Sequence, residues 1–165
     1  METIIVVTEI AAPIERCFLL SLSIDLHMES AAATAERAIA GVTRGIIGPG
    51  ETVTWRGRHF GCMLTHESRI TKYDRPHYFQ DVMVRGAFRS FEHNHFFERG
   101  KGEHTLMRDE LRFEAPFGLV GRVAEVLVLR RYLKRFLIAR NHVIRTTAEG
   151  PEAEWLRFTG PEADV

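Results

Sequence analysis

Turn signals recur about every 12 residues through the middle of this chain, and a long amphipathic stretch closes it. Gly48-Pro49-Gly50, Gly61, Asp74-Arg75-Pro76, Gly86 and Arg99-Gly100-Lys101-Gly102 mark the turns, and strand-like runs fill the gaps. From Leu119 to about Arg145 only Gly121 interrupts a helical pattern. Runs of about 10 residues make strands about 33 Å long. A helix of about 26 residues spans about 39 Å. A helix that matches the strands in length lies across the sheet rather than beside it. The expected fold class is α+β: a curved antiparallel sheet of about seven strands wrapped around a long C-terminal helix. Such an arrangement leaves a pocket between sheet and helix.

The remaining elements fit that plan. Thr3 to Ile10 is β-branched and opens as a strand. Ala12-Pro13-Ile14-Glu15 reads as a helix start, since Pro suits the first turn and an acid suits the positive end of the helix dipole. Ile14, Phe18 and Leu22 follow at helical spacing, giving a helix to about Ser21. Ile24 to Arg37 is a second helical or irregular segment, and Val42 to Ile47 is the second strand. Thr52–Phe60, Cys62–Tyr73, His77–Arg85, Ala87–Glu98 and Glu103–Glu114 are the five rungs of the hairpin ladder, with Gly57 a bend point. Residues 1–148 form one domain, and residues 149–165 are an acidic tail expected to be flexible, though Trp155, Leu156 and Phe158 are sticky enough to touch the surface.

Composition narrows the partners. Net charge is zero with 22 basic and 22 acidic residues, so no global field favours nucleic acid or an anionic membrane. Neither nucleic acid nor membrane contact is expected. The start carries Glu2 where a secretory leader needs bases, and its apolar run is short. Cys17 and Cys62 lack metal-ligand spacing. The expected location is cytoplasmic, with both thiols reduced.

Period-2 alternation assigns the faces. In the last strand Thr105, Met107, Asp109, Leu111 and Phe113 share one side, leaving Asp109 among apolar neighbours. Val53, Trp55 and His59 face inward in their strand, as do Cys62, Leu64, His66, Ser68 and Ile70 in the next. The two following strands fit either phase. The preferred inward sets are Phe79, Asp81 and Met83, then Phe91, His93, His95 and Phe97. Val123, Val126, Leu127, Leu133, Phe136, Leu137 and Ile144 form the stripe by which the closing helix seals the sheet.

The order strand, two short helices, six strands and terminal helix resembles the START-like superfamily, also called SRPBCC. That superfamily includes Bet v 1-type lipid carriers and polyketide cyclase/dehydrase proteins, and its architecture is the helix-grip fold. Ala12-Pro13-Ile14-Glu15-Arg16-Cys17-Phe18 is similar to the family's entry into its first helix, and Ser68 to Pro76 is similar to its mid-sheet hairpin. Phe91-Glu92-His93-Asn94-His95-Phe96-Phe97 is similar to the aromatic-x-His-x-His-x-Phe strand of bacterial members. The resemblance covers residues 2–148 and is closest to small stand-alone bacterial proteins. It implies fold more strongly than activity, because the superfamily spans carriers, cyclases, hydroxylase subunits and co-chaperones.

Three functions remain in view. The first is binding of a small hydrophobic molecule, lipid-like or polyketide-like, in the cavity. Trp55, His59, His66, Phe79, Asp81, Met83, Phe91, His93, Met107, Asp109 and Leu133 are its candidate lining. The second is a polyketide aromatase/cyclase or dehydratase in which Asp109 and His93 move protons, since a carboxylate desolvated among apolar groups next to an imidazole suits abstraction beside a carbonyl. The third is a co-chaperone-like module that binds partners through its outer surface or the basic run Arg130-Arg131-Tyr132-Leu133-Lys134-Arg135. No cofactor is expected: phosphate-cradling glycine motifs and Rieske-type Cys/His ligands are both missing. His93-x-His95 has metal-ligand spacing, but without a third-ligand motif such as His-Glu-x-x-His no metal is expected either.

Overall fold

A computed structural model describes residues 1–116 and 128–160. Seven strands form one antiparallel sheet: β1 Glu2–Ile10, β2 Arg37–Gly41, β3 Thr52–His59, β4 Cys62–Asp74, β5 Tyr78–Arg85, β6 Ser90–Arg99 and β7 Thr105–Glu114. Their order across the sheet is β1-β7-β6-β5-β4-β3-β2. Consecutive hairpins join β3 through β7, and β1 closes the far edge by pairing with β7. Between β1 and β2 lie α1 (Ile14–Leu22), α2 (Ile24–Ser30) and a 3-10 turn at Ala32–Thr34. Helix α3 spans Arg130–Glu149, and α4 spans Glu152–Thr159. This is the expected helix-grip α+β arrangement.

The hairpins curl the sheet. Phe60 and Gly61 both take positive φ between His59 and Cys62, the two-residue turn whose twist matches the strands it joins. The β4/β5 register shifts between Glu67 and Ser68 and again between Ile70 and Lys72, and such bulges bend a strand and increase its twist. At Gly57 an added Cβ would sit 3.2 Å from the Cβ of Glu36, so the missing side chain lets that segment close onto β3.

Two apolar clusters flank the space between sheet and helix. In one, Phe18 of α1 sits edge-on to Tyr73, Phe79 and Phe97 at 5.4–5.6 Å, joined by Leu22, Met107 and Ile144. In the other, Ile4, Leu111 and Phe113 pack against Leu137 of α3, with Leu133 at its margin.

The structure differs from the sequence expectation at several points, among them Cys62, expected inward but exposed. The second strand is Arg37–Gly41, not Val42–Ile47. Gly41 and Gly45 both have φ near 72°, which breaks an extended run there. The segment that follows is instead pinned to the helices: Ile24 N–H donates to the Gly45 carbonyl and Ile47 N–H to the Leu22 carbonyl. The closing helix begins at Arg130 among the described residues and continues past Arg145 to Glu149; Val123, Val126 and Leu127 lie outside the described residues. The acidic tail holds α4, which buries Trp155 and Phe158, with the Arg16 guanidinium 4.2 Å from the Trp155 ring centre. Burying a large indole outweighs the polar composition around it. No described helix is long and apolar enough to cross a membrane.

Candidate functional site

A cavity of about 300 Å³ lies between the inner face of the sheet and the first turns of α3. Its walls are mostly apolar: Ile24, Ile47, Val53, Ile70, Leu111 and Leu137 contribute, together with the rings of Trp55, Phe79, Phe91 and Phe136. Two polar groups interrupt them.

The first is built across β5, β6 and β7. Alternation puts His93 and His95 on one face of β6, and the register sets Asp81 opposite His93 and Asp109 opposite His95. The two imidazole rings stand 3.8 Å apart, and His95 stacks on Phe79 at 4.0 Å. His95 Nε2 is 3.1 Å from Asp81 Oδ2, and His93 Nδ1 is 3.8 Å from the same oxygen. The opposite ring nitrogens, His93 Nε2 and His95 Nδ1, lie 3.0 and 2.9 Å from Asp109 Oδ1. Asp109 has no exposed surface. Helix α3 covers it: Asn141 Nδ2 donates to Asp109 Oδ2 at 2.6 Å, and Arg140 Nη1 stands 3.7 Å from Oδ1. A second nitrogen of Arg140, Nη2, donates to the Ser21 carbonyl.

The charges in this group follow from burial opposed by partners. Desolvation pushes the Asp109 carboxyl up, but His93 and His95 outweigh it and hold the group well below the ordinary carboxylate range. Asp81 balances the same way, burial against His95 and His93, and rests at about 2. Burial and the neighbouring His95 lower His93, against the pull of Asp109 and Asp81. His93 thus stands between two carboxylates that oppose the effect of its burial.

The second group closes the other end. His27 Nε2 is 2.7 Å from Glu36 Oε1, and His59 Nε2 is 3.3 Å from Glu36 Oε2. The other nitrogen of His59 lies 2.6 Å from the Tyr132 hydroxyl of α3. His27 lies over Trp55 at 4.1 Å. Burial raises the Glu36 carboxyl, but its bonds to His27 and His59 prevail and bring it to about 2. Between the two groups sits His66, lowered by burial and edge-on to Phe91 at 5.1 Å.

Of the residues expected to line the site, Trp55, His59, His66, Phe79, Asp81, Phe91, His93 and Leu133 border the cavity. Three do not. Met107 is fully buried beneath α1, where Ser21 Oγ lies 3.6 Å from its sulfur. Met83 packs beside Gly86, whose added Cβ would stand 2.6 Å from the Met83 sulfur. Asp109 stands behind the histidines rather than at the surface of the cavity.

His27, Glu36, Tyr132 and Arg140 also border the cavity without having been expected there, and His95 and Phe136, expected to face inward, join them. A signal for Arg140 was present in the sequence. Arg140 and Asn141 fall between Leu137 and Ile144 on the buried stripe of α3, and polar groups at core positions need partners inside.

No protein-family model and no curated protein matches this chain. Solved structures do match. The Zhui aromatase/cyclase from a Streptomyces species superposes with a TM-score of 0.72 at 13% identity, over 90% of this chain and 93% of its own. A START superfamily protein from Mycobacterium smegmatis gives 0.67 at 10% identity, over 89% and 97%. A major latex-like protein from Panax ginseng gives 0.62 at 17% identity, over 90% and 98%. At these identities the likeness is one of architecture. This chain shares its helix-grip fold with those three proteins.

Proposed function

We propose that the cavity binds one small, largely apolar molecule and that the two histidine–carboxylate groups anchor polar atoms on it. The observation that carries this reading is the cavity itself, about 300 Å³ with mostly apolar walls and polar groups clustered rather than scattered. Volumes near 300 Å³ lie at the small end of ligand sites, and a few placed polar groups in an apolar wall are how such sites orient a ligand. A partner-binding module would have no need of that space. Native mass spectrometry of protein purified from its own host should show a retained small molecule that is lost on denaturation. Ligand-free protein that also takes up no apolar dye in a saturable way would overturn the reading.

The His93–Asp109 contact favours a second reading, a cyclase or dehydratase of polyketide-like chains. A buried carboxylate beside one nitrogen of an imidazole raises the basicity of the other nitrogen, here His93 Nδ1, which stands 3.8 Å from Asp81 Oδ2 on a residue that borders the cavity. That is the arrangement of a general base. The test is turnover of a model poly-β-ketone by wild type and His93→Gln. A rate loss of about 10²–10⁴ with binding retained supports it; no turnover by the wild type removes it.

A further inference from the structure

We propose that Asp81, His93 and His95 form a site for a divalent transition-metal ion that opens into the cavity, with Asp109 orienting both imidazoles from behind. The donor atoms of the three side chains lie within 4.8 Å of one another. Two imidazoles and one carboxylate are the donor set of open zinc and non-haem iron(II) sites. The alternation of β6 supplies both histidines on one face, and the β5/β6 register supplies the carboxylate across the strand gap.

Proton counting strengthens the geometry. Each imidazole stands between Asp81 on one side and Asp109 on the other. A neutral imidazole has one N–H and one lone pair, so it satisfies only one of two carboxylates. With the protons turned to Asp109, the lone pairs of His93 Nδ1 and His95 Nε2 are both left on the Asp81 side, where a cation would complete the arrangement. A carboxylate behind each metal-binding histidine is the usual way such ligands are held in tautomer and orientation. Asp109 is itself fixed by Asn141 at 2.6 Å and neighboured by Arg140 at 3.7 Å.

The separations from Asp81 are already close to those a metal requires. Bonds of about 2.1 Å in tetrahedral geometry separate donors by about 3.4 Å. The present separations from Asp81 are 3.1 and 3.8 Å. Metal binding would replace the hydrogen bond between His95 Nε2 and Asp81 Oδ2, while His93 Nε2 and His95 Nδ1, 3.0 and 2.9 Å from Asp109 Oδ1, need only align to donate to it. Asp81, His93 and His95 all border the cavity, so the open coordination positions face it. A metal there would present a Lewis acid to an oxygen of whatever molecule occupies the space.

The test uses metal alone and is independent of the organic ligand. Chelator-stripped wild-type protein, titrated with Zn²⁺ by calorimetry, should bind one ion per chain. Co²⁺ should give the visible absorption of a low-coordinate nitrogen and oxygen site, and Zn²⁺ should displace it. Asp81→Asn and His93→Gln, each checked for native circular dichroism, should weaken Zn²⁺ binding by at least about tenfold. His104→Gln, which alters an exposed histidine beside Glu9, should leave it unchanged. Absence of saturable uptake by the wild type overturns the proposal and makes the cluster a proton-bridged network. Uptake that survives both Asp81→Asn and His93→Gln overturns it equally, because the ion then sits elsewhere.

Discussion

Replacing Asp109 with asparagine separates two views of a buried carboxylate. Considered alone, a charge among Met107, Leu111 and Phe113 is costly, and an amide of the same size should be tolerated or even stabilising. The partners reverse that sign. Asp109 has no exposed surface and receives a 2.6 Å hydrogen bond from Asn141. It also stands 3.7 Å from the guanidinium of Arg140, which is itself buried. Asn keeps one oxygen for Asn141 but removes the countercharge, leaving Arg140 with only the Ser21 carbonyl among its named partners. Stranding one member of a buried pair costs about 3–5 kcal/mol. The hydrogen bond to Ser21 offsets part of this, so the net loss should be about 2–4 kcal/mol. Urea unfolding at neutral pH, with unchanged slope, measures it. Arg140→Met should cost less in the Asp109→Asn background than alone, since the two share one interaction. A variant as stable as wild type, or more stable, would refute the reasoning about Arg140.

Glu36 predicts an acid-dependent weakness: its carboxyl is held at about 2, below an ordinary 4.5, so its contribution is complete above about pH 4.5 and lost as pH falls toward 2. The shift corresponds to about 3 kcal/mol at most. The urea midpoints of wild type and Glu36→Gln should therefore differ clearly at pH 7 and draw together as pH falls to about 2; a constant gap contradicts the assignment. Trp155→Ala should cost about 3–5 kcal/mol, because the indole is 2% exposed between α4 and α1. A melting temperature unchanged by that substitution would mean that α4 is not part of the cooperative unit.

The sheet was legible because its signals are local. Turn residues at regular spacing gave five rungs, and alternation alone placed Thr105, Met107, Asp109, Leu111 and Phe113 on the buried face of β7. What lay beyond reach depends on register between strands. Nothing in the run from His77 to Arg85 shows that Asp81 falls opposite His93, since a one-residue slip would turn it to the other face. The third donor of the proposed metal site is of this kind: it comes from the adjacent strand, not from a linear motif. Glu36 escaped notice because it lies in an irregular segment whose position is set by the close approach of Gly57. Trp155 and Phe158 stood out as sticky, but the acidic composition of their neighbours concealed the helix after Gly150-Pro151 that buries them.

The central claim is that the space between sheet and α3 holds one small apolar molecule. Titration of an environment-sensitive apolar dye, read by Trp55 emission in a Trp155→Phe background, tests it most directly. Trp55 borders the cavity, whereas Trp155 is buried elsewhere. The account predicts saturation near one dye per chain, with Leu133→Trp, which fills the cavity from the helix side, weakening it at least about tenfold at similar stability. Dye uptake that does not saturate, or that Leu133→Trp leaves unchanged, would contradict the claim.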